Sequence, residues 1–83
     1  MKTLTHQKQA IIIACNLKRI RKKANLTQNE VAELAGIQRD LYAKYETAAS
    51  LMSILNLVKV ADALNVTVDD MLFGVLETLK EED

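Results

Sequence analysis

Apolar residues recur along the chain with the three-to-four-residue spacing of amphipathic helices. A first helix is predicted from about Gln7 to Ala24, because its apolar residues Ile13, Leu17, Ile20 and Ala24 recur at helical spacing and would share one face. Later stretches with the same period predict four further helices, over about 27–36, 38–47, 53–64 and from residue 67 onward. The chain has no proline and two glycines to interrupt these patterns, so we expect an all-helical fold.

Residues that favour helix ends stand between the predicted helices. Thr27 and Glu30 have the spacing of a capping box, in which hydroxyl and carboxylate each accept from the other residue's amide. Residues 67–70 form a second N-terminal signature, with carboxylates in the first turn. Asn25 and Asn65 are expected to end the first and fourth helices, since asparagine tolerates the left-handed conformation.

Length and composition predict one globular domain that covers residues 1–83. Cys15 is the single cysteine, which excludes an intramolecular disulfide, and its apolar neighbours predict a buried side chain. The apolar run 10–14 is much shorter than the roughly 20 residues of a membrane span. Basic residues follow it where a signal peptide would be cleaved. We therefore expect a cytoplasmic protein without a membrane partner.

Catalytic and cofactor signatures are missing from the sequence. No nucleophile has a nearby base, no glycine-rich loop is present, and His6 has no companion at metal-ligand spacing. We predict no enzyme activity, no catalytic residues, no metal, no cofactor and no small-molecule substrate.

The net charge is zero, but the two halves of the chain carry opposite net charges. Residues 1–46 carry nine Lys or Arg against four Asp or Glu, whereas residues 47–83 carry two against seven. Only the first half is therefore suited to face phosphates.

The window from Gln28 to Thr47 has the pattern of two short helices that cross through a tight turn. Ala32 is small where the second helix would press on the first, and Gly36 suits a turn with positive φ. The positions expected to point inward are all apolar or aromatic: Val31, Ala35, Ile37, Tyr42 and Tyr45.

This window resembles the phage repressor and Cro-like (XRE-type) helix-turn-helix family. The resemblance is carried by Leu26-Thr27-Gln28, Ala32, Gly36 and Lys44-Tyr45-Glu46, and it extends from about Ile13 to Phe73. Within the family, the chain looks most like the small controller proteins of restriction-modification systems. The resemblance implies a compact five-helix lambda-repressor-like domain, a helix-turn-helix over about 28–47, and binding of double-stranded DNA. Thr47-Ala48-Ala49-Ser50 departs from the basic loop common in relatives, which predicts weaker backbone contacts.

The recognition helix of such a motif lies in the major groove, and its outward residues are the candidates for reading bases. These are Gln38, Arg39, Asp40, Ala43 and Lys44. Arg39 and Lys44 suit guanine, and Gln38 suits adenine. Asp40 could accept from cytosine or pair with Lys44 along the helix, and the sequence leaves both open. Candidates for phosphate contacts are Thr27, Gln28 and Thr47.

By resemblance, Arg21 pairs with Glu46 and so links the first helix to the end of the recognition helix. A structural ion pair of this kind positions the recognition helix and adds little net stability to the fold. Tyr42 and Tyr45 are expected in the core rather than on the DNA surface.

The C-terminal segment, about residues 66–80, is the predicted dimerisation region. It carries apolar residues at helical spacing, which are Leu72, Val75, Leu76 and Leu79. The alternative is that these residues fold back against Ile11 and Ile12 of the first helix. The predicted function is a sequence-specific transcriptional regulator that binds a palindromic operator as a homodimer. The alternative is an antitoxin or antirepressor that uses the helix-turn-helix to sequester a protein partner.

Overall fold

The computed structural model describes the backbone of residues 2–72 and the side chains of residues 8–72. Four helices are α1 (Lys2–Lys23), α2 (Gln28–Ala35), α3 (Arg39–Glu46) and α4 (Ile54–Leu64). Residues 68–72 are also helical, and we call this segment α5. These five helices, with no strand among the described residues, confirm the all-helical five-helix prediction. The main difference is α1, which begins five residues before the predicted Gln7.

The predicted helix ends are confirmed by their geometry. Thr27 and Glu30 form both bonds of the capping box, at 3.1 and 2.8 Å. Residues 67 and 70 form the same reciprocal pair in front of α5, with both bonds at 3.1 Å. Asn25, Gly36 and Asn65 have φ of 61°, 70° and 59°, the left-handed conformation that lets a chain leave a helix.

The core lies where the first four helices meet. α2 packs against both α3 and α4, and α1 packs against α3. Leu17 and Ile20 of α1 are buried as predicted, together with Met71 of α5. Of the positions predicted to point inward within the 28–47 window, Ile37 is half-buried against the core and the others are buried. This packing leaves one side of α3 in solvent.

Two positions on α1 correct the sequence interpretation. Cys15, predicted to be buried, is exposed. The neighbouring Asn16 is fully buried and donates from Nδ2 to the Met71 carbonyl at 2.7 Å. The reason is helical phase, because Asn16 stands four residues before Ile20 and shares its face, whereas Cys15 turns away from it. Ala24, predicted to share the apolar face of the first helix, lies just beyond α1, which ends at Lys23, and is exposed.

The connection between α3 and α4 covers residues 47–53. Ala48 has φ of 63°, a conformation that an alanine side chain disfavours. The amide of Ala49 donates to the Lys44 carbonyl at 2.9 Å, so the connection begins as a tight reversal at the end of α3. Ser53 then caps α4 by accepting from the Asn56 amide at 3.1 Å. No described helix has the length and hydropathy needed to cross a membrane.

Candidate nucleic-acid interface

The solvent side of α3 carries the candidate base-reading residues. At 3.6 residues per turn, positions 39, 40, 43, 44 and 47 fall within one arc of about 140° around the helix. Arg39, Asp40, Lys44 and Thr47 are exposed, and Ala43 between them is half-buried. The opposite arc holds Tyr42, Tyr45 and Glu46, which are buried. The outward set of α3 is therefore a polar surface with the small Ala43 within it.

Two candidates on this side have particular local settings. Gln38 is the N-cap of α3. Its side-chain amide makes no capping hydrogen bond to the helix. Asp40 and Lys44 form no ion pair with each other in the described part of the chain. Both side chains stand exposed on the α3 surface.

The N-terminus of α2 supplies hydrogen-bond donors near α3. Within the capping box the Glu30 amide donates to the Thr27 hydroxyl. The amides of Gln28 and Asn29 belong to the first turn and have no acceptor within the helix. Free first-turn amides at the positive end of a helix dipole are a favourable site for a phosphate. Thr27 is exposed at this end.

A buried carboxylate joins these elements. Glu46 accepts from Arg21 Nε at 2.6 Å and Arg21 Nη2 at 3.1 Å, from Tyr42 Oη at 2.6 Å and from Gln28 Nε2 at 3.0 Å. These four bonds match the four lone-pair sites of a carboxylate. Arg21 Nη1 also donates to the Leu26 carbonyl at 2.8 Å, so the cluster ties α1, the α1–α2 connection, α2 and α3 together.

The electrostatics of the cluster favour the charged pair. Burial alone would raise the pKa of Glu46, but hydrogen bonds from Arg21, Tyr42 and Gln28 outweigh it, and the pKa is lowered. The hydrogen bond to Glu46 raises the pKa of Arg21. Burial, followed by the bond to Glu46, raises the pKa of Tyr42 far above its usual range. Glu46 is therefore an ionised hydrogen-bond acceptor. Arg21 neutralises its negative charge within the cluster, so that this charge is not presented to a phosphate.

Two members of this cluster make a contact with Glu46 that the sequence did not predict. Gln28, a candidate phosphate contact, directs one side-chain N–H to Glu46, which leaves its second N–H and its backbone amide for other partners. Tyr42 is a core residue as expected, but its hydroxyl also holds Glu46. The Tyr42–Glu46 spacing of four residues was a usable signal, since such residues are neighbours on a helix. The contact between Gln28 and Glu46 joins residues 18 positions apart, and the sequence contains no comparable signal for it.

The predicted dimer residues are only partly within the described chain. Leu72 is half-buried on α5. Val75, Leu76 and Leu79 lie outside the described residues. Of the alternative contact residues on α1, Ile11 is exposed and Ile12 is half-buried.

The family model named helix-turn-helix (HTH_3) matches residues 17–71, about two thirds of the chain. The chain belongs to the helix-turn-helix family. The matched region runs from the core residues of α1 to the buried Met71 of α5, so it includes the capping box, the turn at Gly36 and the Glu46 cluster. The resemblance to phage repressors is thereby confirmed.

Two curated relatives are similar to this helix-turn-helix chain. The cryptic phage CTXphi transcriptional repressor RstR of Vibrio cholerae is 43% identical over 51 residues, which are 61% of this chain and 46% of RstR. The uncharacterized HTH-type transcriptional regulator YqaE of Bacillus subtilis is 36% identical over 59 residues, 71% of this chain and 51% of YqaE. The chain thus spans about half the length of the curated relatives it matches.

Two solved structures share the fold. The restriction-modification controller protein C.AhdI from Aeromonas hydrophila has a TM-score of 0.73 at 24% identity and covers 75% of this chain and 94% of its own. The clp gene regulator ClgR from C. glutamicum has a TM-score of 0.77 at 21% identity, with 84% and 91% covered. At these identities the likeness supports the fold alone.

Proposed function

We propose that this helix-turn-helix protein is a transcriptional regulator that binds double-stranded DNA in a sequence-specific manner, as a homodimer on a palindromic operator. The observation that carries the proposal is the polar arc of α3, which stands in solvent beside the free first-turn amides of α2. In a helix-turn-helix complex the second helix enters the major groove while the first crosses the backbone. The relatives RstR and YqaE are named as transcriptional regulators.

Each candidate residue has a role in this proposal. Arg39 and Lys44 donate to guanine, and Gln38 pairs with adenine. Asp40 accepts from the amino group of cytosine, which fits its freedom from Lys44. Ala43 is small enough for the helix to approach the base edges, and its methyl group suits contact with a thymine methyl.

The phosphate contacts come from the ends of the two helices. Thr27 and the Gln28 amide bind a phosphate at the start of α2, and Thr47 binds another at the end of α3. With no lysine or arginine from 47 to 58, these contacts are few. Affinity should therefore fall with rising salt, with a modest slope that reflects few released counterions.

The homodimer part of the proposal follows from the size of the domain. One recognition helix contacts only a few base pairs, whereas a two-fold pair presents two such helices about 34 Å apart. The residues proposed from the sequence for the interface are Leu72, Val75, Leu76 and Leu79. Sedimentation of Leu76→Glu tests them, since a folded monomer supports this interface and an unchanged dimer contradicts it.

Selection of bound duplexes from a random pool tests the whole proposal. A recovered palindrome would support sequence-specific binding and two-fold symmetry together. Recovery of no consensus, or binding that is insensitive to salt, would contradict it.

A second candidate function is recognition of a protein partner, as in an antitoxin or antirepressor. The zero net charge and the missing basic residues after α3 favour it. A gel shift with random-sequence duplex at low salt separates the two, because only a DNA-binding protein retards the duplex.

A further inference from the structure

A cluster of aliphatic side chains is exposed at the beginning of α4 and in the connection just before it. Their exposed fractions run from 44% to 83%, although each is a large hydrophobic residue. We call this cluster the α4 face, and its members are Leu51, Ile54, Leu55 and Val58. Val58 stands four residues after Ile54 and three after Leu55, so the three side chains share one side of the helix.

The α4 face is separate from the side of α4 that packs into the core. Val60, Ala61 and Leu64 are buried, and Leu57 is half-buried against them. The first two turns of α4 are therefore apolar around most of their circumference. A helix of this kind is normally covered on both sides, and a contiguous exposed apolar patch on a soluble domain marks an interaction surface.

The charge pattern decides which partner fits. No charged residue occurs from Thr47 to Val58, so the face has no cation to offer to a nucleic acid. In a two-fold interface each residue near the axis meets its own copy, and a charge there would repel itself. An uncharged aliphatic surface has no such penalty. The chemistry of the face therefore favours a second copy of this chain over DNA.

A groove beside the α4 face adds a concave element. It has a volume of about 180 Å³ between α1 and the α3–α4 connection, and its mostly apolar walls include Ala10, Ile13, Met52 and Leu57. Leu51 lines the groove and also belongs to the face, so the two are continuous. Projecting aliphatic side chains next to an apolar groove are what two identical surfaces need to interlock.

We propose that the α4 face is a surface through which two copies of this chain associate. This inference rests on the homodimer of the proposed function and adds a surface on α4 to the C-terminal residues proposed for its interface. Asn56 Nδ2 donates to Tyr45 Oη at 2.9 Å, which ties the start of α4 to the buried side of α3. Association through α4 would therefore hold two recognition helices in a fixed relation.

The test compares two leucines with nearly equal exposure, Leu55 in the face at 63% and Leu34 on α2 at 64%. Leu55→Glu places a charge in the face, and Leu34→Glu places the same charge outside it. Sedimentation equilibrium of the 83-residue chain is expected to give a dimer Kd raised by at least about tenfold for Leu55→Glu and unchanged for Leu34→Glu. Thermal unfolding at concentrations where both variants are monomeric should be alike, because neither side chain is in the core.

The pair Leu55→Ser and Leu34→Ser repeats the comparison with an uncharged change, in case a glutamate prevents folding. A dimer Kd that responds equally to both positions, or to neither, would overturn the inference. A lowered Tm for Leu55→Glu with an unchanged dimer would mean that the same chain covers the face. If Leu55→Glu changed neither the Tm nor the dimer Kd, the face would be assigned to binding a different protein. Either of these results also overturns it.

Failure of the inference and failure of the proposed function are distinguishable. A wild-type chain that binds selected DNA but stays a monomer, alone and on the duplex, would overturn self-association and leave DNA binding intact. A dimer that is lost in Leu55→Glu but never binds DNA would keep the inference and contradict the proposed regulator.

Discussion

The outward faces of α3 and α4 are both exposed, are joined by a short connection, and differ in almost every chemical respect. The α3 face carries Arg39, Asp40 and Lys44, and the buried side of its helix is fixed by the Glu46 cluster. The α4 face carries only aliphatic side chains and contains no ionisable group. A small domain can thus present two chemically distinct surfaces, because helical phase separates side chains that are close in sequence.

The largest effect is expected from Glu46→Ala, which should damage the α3 face and leave the α4 face intact. Removal of one partner from a buried ion pair strands Arg21 and should cost about 3 kcal/mol of unfolding free energy. DNA affinity should fall for all sequences, although removal of a negative charge alone would raise it. The dimer Kd should not change. Denaturant unfolding, gel shifts and sedimentation measure the three quantities.

The control for Glu46→Ala is Glu33→Ala, an exposed glutamate of α2 with an expected effect within about 0.5 kcal/mol. The swap of Arg21→Glu with Glu46→Arg should recover part of the loss in a double-mutant cycle. Purely additive losses would contradict an energetic link between the two side chains.

Next in size are substitutions on the α3 face itself. Arg39→Ala and Lys44→Ala should each cost about 1–3 kcal/mol at one base position and relax the preference there. Gln28→Ala should weaken binding to all sequences alike, because neither its proposed phosphate contact nor its bond to Glu46 depends on the base sequence. Duplex selection with each variant measures the preference. An unchanged consensus for Lys44→Ala would show that the α3 face does not read bases as proposed.

A smaller effect should separate the two tyrosines of α3. Tyr42→Phe removes a hydrogen bond to charged Glu46 and should cost about 1.5 kcal/mol, with a loss of DNA affinity for all sequences. Tyr45→Phe removes the acceptor of Asn56 and should cost about 1 kcal/mol without loosening Glu46. Chemical denaturation and gel shifts of this matched pair measure both. Equal losses of DNA affinity in the two variants would contradict a particular role of the Tyr42–Glu46 hydrogen bond in DNA binding.

The smallest expected effect is a difference in pH dependence. The pKa of Glu46 is lowered from its ordinary value of 4.5, so its contribution to stability is present above that value and is lost as the pH falls through the lowered pKa. Glu46→Gln should therefore show a flatter fall in unfolding free energy below about pH 4.5 than the wild type. Glu33→Gln is the control and should follow the wild type. Parallel curves for all three proteins would contradict the assignment.

Local features of this fold were predictable from sequence, and contacts between distant polar residues were not. The capping box of Thr27 and Glu30 and the left-handed Asn25 depend on neighbours within four residues, so the sequence contains the whole interaction. The link between Asn16 and Met71 spans 55 residues and depends on how α1 meets α5. An asparagine next to an apolar run gives no sign of such a partner.

The candidate site divides in the same way. The outward arc of α3 followed from helical spacing, and the pairing of Arg21 with Glu46 was available only through family resemblance. Gln28 could not be placed in the Glu46 cluster from sequence, because its contact depends on the angle between α2 and α3. The α4 face was hidden for a further reason, since an apolar residue at helical spacing predicts burial whether or not a neighbouring helix covers it.

The left-handed Ala48 matters for protein engineering. Alanine with φ of 63° is strained by about 1–2 kcal/mol, and glycine would remove that strain while adding freedom to the unfolded chain. Ala48→Gly should therefore raise the unfolding free energy by about 0.5 kcal/mol, a net gain measurable by chemical denaturation. Such a variant would be a useful parent for library work, because added stability gives a domain more tolerance for altered recognition residues.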